Sequence, residues 1–367
     1  MFKKIIPLLV LAVTIYACSS SSSDDVGPTD NFDRKAMLTN LADNIIVPSF
    51  QDFNSKLIVL KGKVEAFNNA PSTLTLEDAR TAWYQAYKSW QWVEMFNIGK
   101  AEEIGFVNHF NIYPLTVADV ESNISNGGYD LAHPNNHDAQ GFPALDYLFY
   151  GVAADDNAIV AKYTTDTDAA KYKMYLTDVV AKMSEVMTTI VNDWNGGYKV
   201  SFANNSGNTA TSSLNKLVND FIYYYEKGLR ANKVGIPAGN FSATTLPEKV
   251  EAFYKKTSSK ELSLEALTAV QSFFNGTKFN AVSSGASFKT YLEALNKGDL
   301  VTKINNQFGL AKTQINGLNA NFYEQINTNN TEMLKAYDEL QKAVVLLKVD
   351  MLQAFNVSVD YVDADGD

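Results

Sequence analysis

The chain has 367 residues, a single cysteine, and 41 Asp and Glu against 31 Lys and Arg, for a formal net charge of -10. Such a balance disfavours long-range attraction to nucleic acid or bare anionic lipid and favours cationic ligands and metal ions. One cysteine excludes an intrachain disulfide.

The first element is a leader. "MFKKIIPLLVLAVTIYAC" begins with Lys3 and Lys4, continues as an apolar run too short to span a bilayer, and places small Ala17 before Cys18. Ile15-Tyr16-Ala17-Cys18 resembles a bacterial lipobox. Residues 1–17 are therefore expected to be a lipoprotein signal peptide and Cys18 the lipid-anchor point. Residues 18–31 are mostly Ser, Asp, Gly and Pro with nothing to bury, a flexible tether. The expected location is the cell envelope, at the outer membrane, on its periplasmic or its surface face.

From residue 32 the apolar periodicity is helical almost everywhere, and no alternating β pattern of useful length occurs, which predicts an all-α protein. Helices are expected near 33–69, 158–195, 209–233, 259–275, 299–327 and 329–355. Another covers "LEDARTAWYQAYKSWQWVEMF", where Trp83, Tyr87, Trp90 and Glu94 recur at i, i+4, i+7 and i+11 as one stripe. Thr75 with Asp78 three residues on reads as a capping box at its start, and Gly99 follows its end. Gly, Asn and Pro mark loops over residues 125–141, at "NGGYKVSFANNSGN" and at "VGIPAGNFSATTLPE". Two packed bundles resembling four-helix bundles, 32–160 and 161–367, with a cleft between them, are the expected organisation. One larger bundle is the alternative.

Between the 125–141 loop and the second half lies "QGFPALDYLFYG". Pro143 suits the first turn of a helix. Asp146 is the single carboxylate in an otherwise apolar segment, so it needs either the helix dipole or a cationic partner. The preceding loop carries His133 and His137 beside Asp130 and Asp138. Their i,i+4 spacing would aim both rings together only on a helix, which Pro134 and the Asn pair oppose. His109 has no visible partner and reads as a packed histidine. Glu226 and Arg230 are i,i+4 neighbours on one helix face with Tyr223.

"GFPALDYLFYG" resembles the G-x-H-x-x-E segment of the imelysin-like family. "LADNIIVPSFQDF" resembles the opening helix of that family, "WQWVEMFNIG" its Glu-x-Phe-x-x-Gly helix end, "NIYPL" its aromatic-Pro turn, and "NKVGIPAG" a second-half helix stop. "LKVDMLQAFNVSVDYVDADGD" resembles the C-terminus of its Bacteroidetes members. The resemblance spans nearly the whole chain after the tether. It implies an all-helical fold of two bundles with the motif at a cleft between them, in envelope proteins associated with iron uptake and classed with the M75 peptidases. Gly141 matches the motif, but Pro143 stands where the His belongs and Asp146 where the Glu belongs. Pro cannot coordinate, and a hydrolytic metal centre needs about three protein ligands plus an open position.

The resemblance makes Glu94, Trp90, Tyr113, Gly141, Pro143, Asp146, Glu226 and Arg230 candidates for one polar cleft, with Asp146 neutralised by Arg230 or by a bound cation. No catalytic residue is assigned. Asp146, Glu94, His133 and His137 are the metal candidates, and iron or another divalent ion the expected cofactor. The expected function is ligand or metal binding in an iron-uptake system, with iron-uptake components and the membrane as partners. The alternatives are a zinc metallopeptidase built on Asp146, Glu94 and a loop histidine, and a scaffold lipoprotein whose carboxylate only fixes packing. The tail "DADGD" lacks the remainder of a calcium loop, and neither a basic stripe nor a phosphate-binding Gly loop points to nucleic acid or nucleotide.

Overall fold

The computed structural model describes residues 30–361. The expected leader, Cys18, nearly all of the tether and the "DADGD" tail lie outside them. Among the described residues the regular structure is helical, with one isolated bridge from Thr277 to Ser284 and no strand, as the periodicity predicts. Residues from Phe32 onward form one compact unit.

The first long rod starts at Arg34–Leu41, where the Asp33 carboxylate accepts the N–H of Ala36 at 2.8 Å. It passes through a π-helical turn, Ala42–Ile46, into Val47–Asn69. The wide turn has a local cause. Pro48 has no N–H to give the Asn44 carbonyl four residues back, and that carbonyl instead accepts the N–H of Phe279 at 2.9 Å. Phe50, Phe53, Leu57, Leu60, Val64 and Phe67 form the buried stripe of the rod.

Thr73–Trp90 packs against this stripe. Its cap is Ser72, not Thr75: Ser72 Oγ accepts the N–H of Thr75 at 3.2 Å, and Thr75 Oγ1 accepts the N–H of Ser72 at 3.0 Å. The helix stops at Trp90, so Glu94 lies in the turn beyond it, and Gly99 begins the next short helix rather than ending this one. Ala169–Asp193 also lies along Val47–Asn69, burying Tyr172, Tyr175, Leu176, Val179, Val180, Met183, Met187 and Ile190. The helices of the first group thus extend past residue 160. Apolar stripes announce that a helix will be covered, not which neighbour covers it.

A second group comprises Ser213–Tyr223, continued as the π-helical stretch Tyr224–Gly235, with Ser259–Asn275, Gly298–Asn316 and Phe322–Val345. The run expected to continue to 327 breaks at Asn316. Asn319 turns the chain by accepting the N–H of Asn321 at 3.0 Å, and Asn321 caps the next helix. Ser259–Asn275 packs on Thr73–Trp90 and joins the groups.

The motif helix, Gly141–Asp146, is wholly buried and packs on Ala169–Asp193 and Thr73–Trp90. Gly141 has φ +71°, and a Cβ there would lie 2.2 Å from the carbonyl oxygen of Phe110, which accepts the N–H of Phe142 at 2.7 Å. Gly141→Ala should therefore cost more than about 2 kcal/mol in denaturant unfolding. Gly62→Ala, at an exposed mid-helix position with open space around it, should instead stabilise by about 0.5 to 1 kcal/mol.

Candidate functional site

Asp146 is buried, and its partner is a loop rather than a side chain. Oδ2 accepts the N–H of Tyr254 at 2.8 Å and Oδ1 the N–H of Lys255 at 2.9 Å. Arg230 does not reach it. Burial pushes the Asp146 carboxyl from its ordinary 3.8 up to about 7, against the pull of the two amides and of Lys255. The Lys255 ammonium itself sits 5.0 Å and 5.2 Å from the ring centroids of Tyr84 and Tyr150.

Beside this helix is a cavity of about 150 Å³ lined by Tyr113, Pro114, Leu115, Pro143 and Asp146 on one side and by Glu248, Val250, Ala252, Phe253 and Tyr254 on the other. Trp90 does not line it. The Trp90 ring is fully buried, stacked on Phe110 at 4.8 Å and packed on Phe53 and Phe142, and so belongs to the aromatic core.

The sequence candidates separate into three places. Glu226 and Arg230 are buried together, with Arg230 Nη2 3.5 Å from Glu226 Oε1 and Nη1 donating to Tyr337 at 2.9 Å and to Gln341. Lys348 Nζ stands 3.1 Å from the other Glu226 oxygen. Asp146 is with the loop amides. Glu94 forms a third group with residues that sequence reasoning did not single out: Lys233, Glu251, Asn111 and Tyr224.

In this third group Glu251 is buried, and its Oε1 receives Lys233 Nζ at 2.7 Å, Asn111 Nδ2 at 2.9 Å and Gln91 Nε2 at 3.2 Å. The Glu251 Oε2 atom and the Tyr113 hydroxyl have no hydrogen-bond partner, while the Tyr224 hydroxyl faces the Glu94 carboxylate. Lys233 Nζ is 3.7 Å from Glu94 Oε2. Burial pushes Glu94 up to about 7, with Lys233 pulling it down and Glu251 raising it. Tyr113 and Tyr224 are held well above their ordinary range by burial and by both carboxylates.

The helix phase explains why this group was hidden. Tyr224 and Lys233 are nine positions apart, which at 100° per residue puts them on opposite faces of an α-helix. They share the π-helical stretch Tyr224–Gly235, whose wider turns bring both to Glu94. Nothing periodic marks Glu251, which sits in the non-helical segment before Ser259.

The histidines also fall differently from their spacing. His133 is exposed and caps a 3₁₀ turn, with Nδ1 accepting the N–H of Asn135 at 3.2 Å. His137 packs edge-on to His109, ring centroids 5.3 Å apart. His109 is buried with Nδ1 3.4 Å from Gln140 Oε1, and burial lowers its pKa. Among the described residues no three His, Cys, Asp or Glu side chains converge as a metal site. The motif place does not fit a catalytic zinc either, because Pro143 has no donor atom and both Asp146 oxygens already accept amide N–H bonds.

A profile of the peptidase M75 family, imelysin, matches residues 46–349. The chain belongs to the imelysin family. Iron-regulated protein A of Synechococcus elongatus is 21% identical over 262 residues, covering 69% of this chain and 68% of that protein. Two solved structures share the fold. An iron-regulated protein A precursor from Parabacteroides distasonis aligns with a TM-score of 0.73 at 17% identity, covering 90% of this chain and 97% of that one. An imelysin-like protein from Psychrobacter arcticum aligns with a TM-score of 0.69 at 15% identity, covering 90% and 97%. In this imelysin, then, the segment resembling the family motif keeps its glycine for backbone packing and uses its acid as a loop clamp.

Asp146→Asn presents an amide N–H₂ to a backbone N–H and so leaves one buried donor unpaired, a loss of about 1 to 3 kcal/mol. The folded chain holds the Asp146 proton more tightly than the unfolded chain does. Its contribution is therefore present below the ordinary carboxylate range and lost as pH rises through about 7. The gap between the parent and Asp146→Asn in urea unfolding should be wider at about pH 5 than at about pH 8. Arg230→Met should destabilise independently, and the double variant should equal the sum of the singles within about 0.5 kcal/mol.

Proposed function

We propose that this imelysin is a lipid-anchored envelope protein that binds a small ligand in iron acquisition and does not hydrolyse peptides. The observation that carries this reading is the fate of the motif. Where the resemblance puts His and Glu there are Pro143, with no lone pair to offer, and Asp146, whose oxygens hold two amides. What remains is a small pocket lined by Tyr113, whose hydroxyl has no hydrogen-bond partner, the makings of a binding site rather than of a water-activating centre.

The size of that space narrows the ligand. Sites for drug-sized molecules occupy roughly 300 to 1,000 Å³, whereas the cavity here is about 150 Å³. That favours an ion with a few waters over a haem or a siderophore. An iron connection is supported by the name of the Synechococcus relative, iron-regulated protein A. Anchoring is supported by the Ile15-Tyr16-Ala17-Cys18 pattern; no helix among the described residues is long and apolar enough to cross a membrane.

Cys18→Ser should release the protein from washed membranes into the soluble fraction, since the anchor is lost with its only thiol. A strain lacking the gene should grow more slowly than its parent under iron limitation and recover on complementation, with equal growth in iron-replete medium. Chelator-sensitive cleavage of casein by the purified protein would instead establish the peptidase. Equal growth under both conditions would leave the scaffold reading, which the clamping role of Asp146 favours.

A further inference from the structure

We infer that the cavity beside the motif helix is a seat for an alkylammonium group, held at the rings of Phe253 and Tyr254 and paired with the Glu248 carboxylate. The inference rests on the binding reading above and names the chemical class of the ligand.

A cavity of about 150 Å³ has room for an ion, and its lining decides between a metal ion and an organic one. Hard metal cations take about six oxygen ligands or more, from protein or from retained waters. The lining side chains that carry oxygen are Tyr113, Asp146, Glu248 and Tyr254, and both Asp146 oxygens already accept amide N–H bonds. That is a poor donor set for a metal. The rest of the lining is apolar or aromatic, which suits the hydrocarbon body of an organic cation. No lysine or arginine lines the cavity, so an anion finds no partner there.

Phe253 and Tyr254 are half-buried and meet edge to face, with ring centroids 5.0 Å and planes 84° apart. Rings set at right angles make the corner of an aromatic cage, the arrangement that recognises ammonium ligands through the negative ring faces. Elsewhere the cations of this chain already occupy tyrosines, Lys255 over Tyr84 and Tyr150 and Arg80 over Tyr150. Among the described residues no Lys or Arg stands over Tyr113, Phe253 or Tyr254. Glu248 is exposed and has no ion pair among the described residues, so it stands where the cavity opens and is free to meet a positive head. The net charge of -10 draws such a head toward the chain. At roughly 30 Å³ for each water-sized group, the space takes about five non-hydrogen atoms, the size of n-butylammonium. The same group ends a free aliphatic amine and a lysine side chain.

The test is titration calorimetry of the purified chain with n-butylammonium chloride, its uncharged isostere n-butanol, and Nα-acetyl-lysinamide. One butylammonium per chain is expected, bound at least tenfold more tightly than butanol. Glu248→Gln should weaken butylammonium at least tenfold and leave butanol unchanged, and Phe253→Leu should weaken butylammonium several-fold. Circular dichroism melting checks that each variant is folded; if Phe253→Leu is not, the exposed Glu248→Gln decides. Acetyl-lysinamide binding as tightly as butylammonium supports the seat with a peptide lysine as its source, and binding of butylammonium alone supports it with a free amine. Absence of butylammonium binding, equal affinity for butanol, or an affinity unchanged in Glu248→Gln overturns the seat. A growth defect under iron limitation with no butylammonium binding would sink this inference and leave the binding reading standing. Butylammonium binding without any growth defect would keep the seat and remove the connection to iron.

Discussion

Both oxygens of Asp146 grip backbone amides that lie 108 and 109 residues further along the chain, and the shape of the candidate site follows from that grip. The clamped segment contains Ala252 and Lys256 at φ +55° and +67°, left-handed conformations that non-glycine residues adopt only when the surroundings hold them there. The Asp146 bonds supply part of that hold. Ser259 Oγ, donating to the Glu251 carbonyl at 2.7 Å, ties the same segment to the start of Ser259–Asn275. Between these two fixings Glu251 is placed on Lys233, and Val250, Ala252, Phe253 and Tyr254 close the cavity beside Pro143. Releasing Asp146 would loosen the wall of the cavity and the carboxylate behind it together.

Buried acids in this protein are compensated in three different ways. Glu226 has two cations, Arg230 and Lys348, and its group is closed by Tyr337 and Gln341. Asp146 has two backbone amides and the pull of Lys255, and desolvation raises its pKa despite them. Glu94 and Glu251 share a single lysine, and Glu251 Oε2 has no hydrogen-bond partner. A buried charge without full compensation is destabilising, and the group of Glu94 and Glu251 departs furthest from balance. Closed networks such as that of Glu226 are explained by packing.

The motif segment shows how a sequence pattern can survive while its chemistry changes. Gly141 is required by the approach of the Phe110 carbonyl whatever the next residues do. Pro143, in the first turn of its helix, costs no hydrogen bond that the helix would have made. Asp146 is one methylene shorter than a glutamate, and here it meets amides close to the helix rather than reaching away from it. Each residue therefore has a structural account in this chain that needs no reaction.

Much of the fold was legible in the sequence because it rests on local rules. Helical spacing of Trp83, Tyr87 and Trp90, or of Phe50, Phe53, Leu57 and Leu60, requires only that one side of a helix be covered. The burial of Asp146 and its need for a partner were likewise readable from its apolar neighbours. The partner was not, because backbone N–H groups are identical at every position and carry no sequence signal. Helix phase misled in the same way: Tyr224 and Lys233 share a face only because the chain takes π-helical turns over Tyr224–Gly235. The sequence by itself determined the all-helical class, the family and the presence of a carboxylate in an apolar segment that needs a partner, since all three are properties of residue type and spacing. Tertiary structure alone decided that Asp146, Glu226 and Glu94 lie in separate places and that Glu251 joins the last of them. Those pairings depend on how segments more than a hundred residues apart meet, and periodicity along one chain does not encode that distance.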